Sequence, residues 1–376
     1  MKIKFYSFLL FLALTFNYHK VNAQADAAEF LKAGKEDGNK LINAYMGPLL
    51  DGFAATLNNG WYNTARHHGL MGFDLTLTLS VTTINANQKT FDGSGLNLNN
   101  DPNKTRIVLV DSNGSTQAQT IYGSNISTTR VNVHESFGGK DTIIASFLMP
   151  PGLAIPVGLG LPNLQAAVGV GLGTEVMIRI TPGIKSGGFR ATMFGLGVKH
   201  NISYWIWERE KKPIDISGVF GFSSLKSTYD LGDDYLKPQD GVPGASAAAA
   251  YQNSQKFVFE GSGYMIGAVI SKKLSILTLY LGANYNHAKV KMSMEGIYPV
   301  TFMETRLDDP KVGKPVIVNF QDPIVIESNL SYLRATGGLR LKLGPITLSA
   351  EYNLGRVNTI GGGIGINVQS IRPFSL

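Results

Sequence analysis

A two-residue alternation of side-chain character runs from residue 164 to residue 181. One face carries Val168, Val170, Leu172, Thr174, Val176, Ile178 and Ile180, and the other carries Gly169, Gly171, Gly173, Glu175, Met177 and Arg179. Successive side chains of a β-strand point to opposite faces, so the pattern predicts one strand with an apolar face and a face of glycine and charge. Such a strand suits a transmembrane β-barrel, which places apolar side chains on lipid and polar side chains in its lumen. We therefore predict an all-β fold, a transmembrane antiparallel β-barrel.

The same alternation recurs along most of the chain. It is present at 73–82, 194–199, 214–223, 277–285, 346–353 and 363–368. From residue 164 onward we predict strands at 164–181, 189–207, 213–227, 255–270, 274–290, 328–343, 345–354 and 357–371. The first strand and the strand at 164–181 should both start on the same side of the membrane, so the chain has to cross an odd number of times within 85–163. We assign these crossings to a hairpin of 104–110 with 116–122 and a strand at 141–149. The expected barrel has about 12 strands, within a range of about 10 to 14.

The links between these strands differ in length. Those at 208–212, at 271–273 and around Gly344 are short, and those at 228–254 and 291–327 are long. Bacterial barrels have short periplasmic turns and longer external loops. The pattern places the short links and the C-terminus in the periplasm and both long links outside.

The first residues have the pattern of an export signal. Lys2 and Lys4 precede an apolar run, and small residues follow up to Ala23. This predicts a signal peptide over 1–23 and transfer to the cell outer membrane, whereas a membrane anchor would need a longer apolar run.

Residues 24–66 have apolar side chains at helical spacing. Asp26 and Glu29 have the spacing of a capping box, and Pro48 predicts a break or kink. We expect a helical segment that plugs the lumen or caps the periplasmic mouth, or one that only packs under the barrel. The barrel itself then takes residues 67–376.

Composition narrows the function classes. Charged residues are 16% of the chain, below the roughly 25% usual in soluble domains. The net charge of +7 is dispersed, so binding to nucleic acid is not expected. The chain has no cysteine, which excludes disulfides and thiolate metal sites. We expect no cofactor.

Charged side chains on the predicted inner face form the first candidate site. They are Glu175, Arg179, Lys199, Asp215, Arg340 and Glu351. Charges in a lumen pair across strands and fix the register, or they shape a selective pore. We favour structural pairing, because charge buried away from water has to be neutralised.

An apolar segment rich in helix and strand breakers spans residues 150–162. Leu153, Ile155 and Val157 are its candidate ligand-binding side chains. The segment would line a hydrophobic binding site, lie at the membrane interface, or form a well-packed periplasmic connection, and we favour the last.

Other residues with catalytic or metal-binding side chains give weaker signals. His67 and His68 are adjacent, so on a strand they point to opposite faces and do not share one metal. The run His134-Glu135-Ser136 is too local for a catalytic triad. Four carboxylates that could bind calcium lie in one loop, at Asp230, Asp233, Asp234 and Asp240. Their spacing is not that of an EF-hand, and the sequence does not decide whether this loop binds calcium. We predict no enzyme activity and no metal site.

Three motifs carry a family resemblance. They are Gly60-Trp61-Tyr62-Asn63-Thr64-Ala65 leading into Gly72-Phe73-Asp74, then Gly173-Thr174-Glu175-Val176-Met177-Ile178-Arg179, and then Gly195-Leu196-Gly197-Val198-Lys199-His200 running to Trp205-Ile206. They resemble an uncharacterised family of outer-membrane β-barrels from Gram-negative bacteria of the Bacteroidota type. The resemblance implies a barrel and assigns no functional residue. The layout is also loosely similar to that of the long-chain fatty-acid outer-membrane transporters, without their Asn-Pro-Ala start.

These observations favour one function and leave an alternative. The leading expectation is passive, porin-like binding or transport of small hydrophobic molecules. The alternative is a structural or assembly scaffold of a surface or secretion complex, with the two long links as partner sites. Expected partners are outer-membrane lipid, the barrel-assembly machinery and a small hydrophobic ligand. A secreted soluble β-sandwich is the remaining alternative for the fold.

Overall fold

The computed structural model describes residues 29–370, except 102–103, 138–139, 159, 187–188, 208–212, 233–235, 239–240 and 304–313. The predicted signal peptide, Asp26 of the capping box, the link at 208–212 and Asp233, Asp234 and Asp240 of the acidic loop lie outside the described residues.

Strands dominate the described chain. They are β1 Phe73–Thr82, β2 Thr90–Asp92, β3 Thr105–Val110, β4 Gln117–Gln119, β5 Arg130–Phe137, β6 Lys140–Leu148, β7 Leu161–Gly171, β8 Thr174–Ser186, β9 Phe189–Asn201, β10 Asp215–Asp230, β11 Lys256–Leu274, β12 Leu277–Glu295, β13 Ile297–Met303, β14 Pro315–Gln321, β15 Val325–Leu343, β16 Ile346–Leu354 and β17 Thr359–Val368. The helices are α1 Lys35–Leu57, α2 Ser203–Ile206 and α3 Ala245–Ala248, with 3₁₀ turns at Ala86–Gln88, Gly93–Leu96 and Ala249–Ser254.

Ten of these strands close into an antiparallel barrel, in the order β1-β17-β16-β15-β12-β11-β10-β9-β8-β7. The all-β antiparallel barrel is thus confirmed, and the soluble sandwich is wrong. The expected count of about 12 is also wrong, although ten lies within the predicted range. The difference arises in two segments, 85–160 and 161–181.

Residues 161–181 form a hairpin and not a single strand. β7 and β8 are joined at Leu172 and Gly173, where Gly171, Leu172 and Gly173 all have positive φ. The turn contains two residues, and a bulge in β7 between Gly169 and Gly171 leaves Val170 unpaired. Because of this extra residue Val168 pairs with Val176, and the alternation continues through the reversal with the same parity. Val170 and Val176 both point outward, and the sequence pattern is therefore unbroken although the chain reverses.

The described residues between β1 and β7 contribute no strand to the barrel. β3 pairs with β5, and β2 pairs with β4, so the predicted hairpin across Asn113-Gly114 is wrong even though the chain turns there. β5 and β6 complete a three-stranded sheet. β7 supplies the one crossing that returns the chain from the end of β1 to the end of the barrel where β1 begins.

The barrel presents opposite chemistry on its two faces. Each of the ten strands has large apolar side chains exposed on the outside, among them Leu75, Val168, Ile178, Leu196, Phe220, Ile266, Leu281, Leu333, Leu348 and Ile364. Polar side chains such as Thr76, Gln165, Asn201, Ser223 and Asn284 alternate with them and are buried inside. Among the described residues, no helix has the length and apolar character needed to cross a membrane.

The two ends of the barrel differ. At the short-turn end β1 begins, and tight turns join β7 to β8, β11 to β12 and β15 to β16. The described residues of 83–160, 231–255 and 296–324 lie at the long-loop end. The segment 150–162 belongs to this end, because Gly158 donates to the Thr82 carbonyl oxygen (2.9 Å). The segment therefore lies at the end opposite to the short turns, and its assignment to the periplasm stays a prediction.

A folded cap covers the long-loop end. We use the term cap for the strands β2–β6 and the hairpin of β13 with β14. Its core is continuous with the first part of α1, as Leu41 packs in the same cluster as Val131, Phe147 and Tyr298. α1 runs through Pro48 without the expected break, and since it lies at this end, it does not cap the short-turn mouth.

Candidate functional site in the barrel lumen

Residues 57–68, here called the lumen segment, connect the end of α1 to the short-turn end. Asn58 donates to the carbonyl oxygens of Tyr264 (3.1 Å) and His287 (3.0 Å), on the inner wall of β11 and β12. Farther along, the amide of Ala65 donates to Ser271 (3.0 Å) near the end of β11. The chain therefore passes along the inside of the barrel before β1 begins.

Trp61 is the largest side chain of the lumen segment, and it is 1% exposed. It lies on a bed of glycines on the inner wall of β9 and β10. A Cβ at Gly197 would be 2.7 Å from the indole, and a Cβ at Gly221 would be 2.3 Å from it. Only glycine leaves the wall thin enough at these two positions for an indole to pack on the backbone.

Arg179 lies over the indole ring. Its guanidinium carbon is 4.0 Å from the centroid of the Trp61 ring, which is cation–π geometry. The same guanidinium donates to the side chain of Gln165 (2.9 Å) and the carbonyl oxygen of Leu57 (3.4 Å). Arg179 thus ties the lumen segment to β7 and β8.

Glu175 forms a buried cluster with His68 and Lys199. One carboxylate oxygen accepts from the backbone amide of His68 (2.6 Å) and lies 2.7 Å from Nδ1 of the same residue. The other oxygen is 3.1 Å from Nζ of Lys199. Lys199 also donates to the carbonyl oxygens of Thr64 and Arg66. The Glu175–Lys199 pair joins β8 to β9, and the other contacts in this cluster attach the end of the lumen segment to the wall.

A second polar group adjoins His68. Arg340 donates to Asp74 (2.9 Å), and Asn367 donates to the same carboxylate (3.0 Å). Asn367 also hydrogen-bonds Nε2 of His68 and accepts from Lys342. His68 is therefore held at both ring nitrogens, between two buried ionic groups.

The predicted lumen charges do not form one network. Glu175 and Lys199 pair with each other, whereas Arg179 and Arg340 each have other partners. Asp215 accepts from Asn201 (3.3 Å) and is not paired with Lys199. Glu351 accepts from Tyr280 (3.2 Å) and Asn353 (3.0 Å).

Several residues of the lumen site escaped sequence reasoning. They are Trp61, Asp74, Arg334 and Asn367, together with His68 in its observed role. Arg334 donates to the side chain of Asn59 and to the carbonyl oxygen of Asn58 (3.1 Å). The inward glycines of β9 and β10 were the available signal, because a glycine-lined wall needs a large side chain to fill the space before it.

The apolar segment lies at the rim of the long-loop end. The Leu153 amide donates to the Ile121 carbonyl oxygen (2.7 Å), and Val157 forms a β-bridge with Thr83. Leu153 and Ile155 are half-buried, and Val157 is 39% exposed. The three side chains thus lie at the opposite end of the barrel from Glu175, Lys199 and Asp215.

Residues singled out for metal or catalytic chemistry have other surroundings. His67 packs edge-on against Tyr204 with ring centroids 5.5 Å apart, while His68 points into the lumen. His134 lies 3.0 Å from Asp141 on the cap. Within the described part of the chain, no group of three or more metal-ligating side chains is present.

Three solved structures illustrate what the fold is similar to. The translocator domain of the autotransporter NalP from Neisseria meningitidis is 10% identical, with 86% of this chain and 95% of that chain covered and a TM-score of 0.26. The outer membrane protease OmpT from Escherichia coli is 9% identical, with 79% and 95% covered and a TM-score of 0.25. The toluene transporter TodX from P. putida is 9% identical, with 80% and 91% covered and a TM-score of 0.24.

These likenesses are too distant to assign a role to this chain. Among curated proteins, none matches its sequence. The profile of a family of unknown function (DUF6588) matches residues 1–368, which is nearly the whole chain. The Bacteroidota type and the likeness to fatty-acid transporters stay predictions. The protein therefore belongs to the family of unknown function DUF6588.

Proposed function

We propose that this protein is an outer-membrane β-barrel that is closed by its own lumen segment and serves as a scaffold for a folded cap at the cell surface. The observation that carries this proposal is the attachment of the lumen segment along its length. Asn58, Trp61 and His68 each contact a different part of the inner wall.

The attachment favours a permanently seated plug over a mobile one. Releasing the segment would remove His68 from Glu175, the carbonyl oxygens of Thr64 and Arg66 from Lys199, and the carbonyl oxygen of Leu57 from Arg179. A hydrogen bond to a charged group contributes about 1.5–3 kcal/mol. A plug that moves in every transport cycle would have to meet this cost each time.

The outer surface supports the membrane location. Exposed apolar side chains on all ten strands would aggregate in water and are matched to lipid. Above them on β11 and β12, Tyr264 packs against Tyr285 and His287, as expected of an aromatic girdle. Outer-membrane lipid, the barrel-assembly machinery and export by a signal peptide over 1–23 belong to this proposal.

Short periplasmic turns would place the cap outside the cell. The cap has its own packed core and joins it to α1, which favours a display or docking role for this surface. A ligand or partner of the cap would then be held at a fixed height above the membrane.

A disulfide lock tests whether the segment has to move. Oγ1 of Thr64 and Oγ of Ser271 are 3.3 Å apart, and the chain has no cysteine of its own. Thr64→Cys with Ser271→Cys should therefore form a bond between the segment and β11. The control pair is Lys226→Cys with Glu260→Cys, whose native side chains are 2.6 Å apart on the outer wall.

Solute flux into proteoliposomes and planar-bilayer conductance are measured for wild type and for both pairs, oxidised and reduced. A scaffold gives the same low flux in every sample. Flux in the wild type and in the reduced lumen pair that stops only on oxidation of that pair would overturn the proposal.

Passive transport of small hydrophobic molecules is the second candidate. The exposed Val157 side chain at the rim, beside the half-buried Leu153, favours it, because an apolar access site would have this character. Native mass spectrometry of protein purified from membranes tests it. A retained apolar molecule that is lost in the Val157→Ser variant supports transport, and the same spectrum for both proteins speaks against it.

A further inference from the structure

A polar cavity of about 150 Å³ opens inside the barrel at the short-turn end. We call it the basic cavity. Its walls come from the lumen segment, from β10, β11, β12 and β15, and from the end of β17 with the residue that follows it. Its cationic lining residues are Arg66, Lys273, Arg340 and Lys342.

Two of these cations have no acidic partner. Among the described residues, neither Arg66 nor Lys273 has a carboxylate oxygen within 4.0 Å. Arg340 is 7% exposed, and it uses one guanidinium nitrogen on Asp74, while its Nε is buried without a hydrogen-bond partner. A buried donor without an acceptor is costly, so this site is incomplete as it stands.

Positive charge is in excess around the cavity. The four cations face Asp215 in the wall and Asp74 behind Arg340, and the adjoining Glu175 is already matched by Lys199. Lys342 lines the same cavity as Arg340, Lys273 and Arg66. Like charges confined at a partly buried site repel one another strongly, and a bound anion would relieve this repulsion.

We propose that the basic cavity binds an oxyanion of the phosphate class, as the free ion or as a phosphate ester headgroup. Cations approach from three separate elements, an arrangement that matches a tetrahedral, multiply charged group better than a planar carboxylate. Guanidinium groups donate to phosphate oxygens in pairs, and ammonium groups add point charges. The hydroxyls of Thr64, Ser271 and Thr278 complete the donor set.

The cavity has room for such a group. One water needs about 10–15 Å³ of the same measure, and the cavity offers about 150 Å³. Binding here requires no motion of the lumen segment, since Arg66 contributes from the seated conformation. The proposal is therefore independent of whether the barrel transports anything.

Calorimetric titration of the purified full-length protein in mild detergent with inorganic phosphate, at constant ionic strength, tests the site. The informative variants are Arg66→Gln and Lys273→Gln, because neither side chain has a carboxylate to leave unpaired. Lys272→Gln is the matched control, since it removes the same charge from the adjacent residue, which is exposed and lies outside the cavity lining. Heat-modifiable gel mobility verifies that each barrel is folded.

Phosphate should bind the wild type and the Lys272→Gln variant equally. Each cavity variant should lose about tenfold in affinity, as expected for one charged hydrogen bond. Phosphate binding no tighter than chloride binding, acetate binding as tight as phosphate binding, or the same loss in Lys272→Gln would each overturn the proposal.

Nanodiscs distinguish the two sources of phosphate. If lipid headgroups fill the cavity, phosphatidic acid in the disc should weaken the binding of free phosphate to the wild type. If the free ion is the ligand, discs with and without phosphatidic acid should give the same affinity. Both outcomes require a phosphate-class site that is weakened in the Lys273→Gln variant.

Discussion

The indole of Trp61 occupies the space that a side chain at Gly221 would fill, because a Cβ at Gly221 would lie 2.3 Å from Cε2 of Trp61. The lumen segment and the barrel wall are therefore shaped to each other at the level of single atoms. The glycine at position 221 is therefore explained by the packing of the lumen segment, and not by the strand on which it lies.

Gly221→Ala should destabilise the protein by about 1–3 kcal/mol, the usual cost of overpacking a tight interior. The added methyl group has no free volume, since backbone lies behind it and the indole lies before it. The free energy of unfolding from lipid vesicles in urea measures the effect, and Trp61 reports its own displacement by fluorescence.

Gly218→Ala is the matched control for that change. Gly218 lies on the same strand, and a Cβ there would have no atom within 4 Å. Trp61→Ala in the Gly221→Ala background should recover part of the loss relative to the sum of the single changes. Equal effects of the alanines at 218 and 221 would show that the indole does not determine the cost.

Glu175→Gln should cost about 3–5 kcal/mol, because Lys199 would keep its charge in a buried site without a counter-ion. The side chain keeps its shape, so the change isolates the charge. The unfolding free energy in the same vesicles is the measurement.

The outer-wall pair provides the comparison for Glu175. Glu260 is exposed and lies 2.6 Å from Lys226, in the same cross-strand relation. Glu260→Gln should leave the stability almost unchanged, since exposed ion pairs contribute little. A large loss at Glu260, or none at Glu175, would contradict the assignment of burial.

Arg179→Lys should lose about 2 kcal/mol, the scale of one hydrogen bond to a charged group. An ammonium keeps the charge but cannot stack as a plane on Trp61 while donating to Gln165 and Leu57. Arg190→Lys, at an exposed residue that pairs with Asp230, is the control and should be neutral. The free energy of unfolding in urea is measured for both variants. Equal values for Arg179→Lys and Arg190→Lys would exclude a structural role of the guanidinium plane of Arg179.

Side-chain orientation was largely predictable from the sequence, whereas chain reversal was not. Val176 and Glu175 point outward and inward as expected, because alternation depends only on the pleat. The turn at Leu172 was missed, since the bulge in β7 beside this two-residue turn restores the alternation and the apolar Leu172 continues the pattern. Because 164–181 was counted as one crossing and not two, the prediction needed an odd number of further crossings. It assigned three of them to residues that form the cap.

The partners of the lumen charges were not predictable by parity alone. Parity places Lys199 and Asp215 on one face but does not give their heights in the barrel. Glu175 faces Lys199 directly in the strand register, while Asp215 lies beyond it toward the short-turn end. His68 and Trp61 come from a segment outside the sheet, for which strand periodicity contains no information.

Labelling of single cysteines tests the orientation on which the surface role depends. Asn113 lies at an exposed turn of the cap, and Ser275 lies at an exposed turn of the short-turn end. Because the chain has no native cysteine, Asn113→Cys and Ser275→Cys each introduce one reactive thiol. A bulky polyethylene glycol maleimide added to intact cells should label the first variant, and it should label the second only after the outer membrane is permeabilised. Labelling of Ser275→Cys alone on intact cells would invert the barrel and place the cap, with its packed core, in the periplasm, where display at the cell surface is impossible.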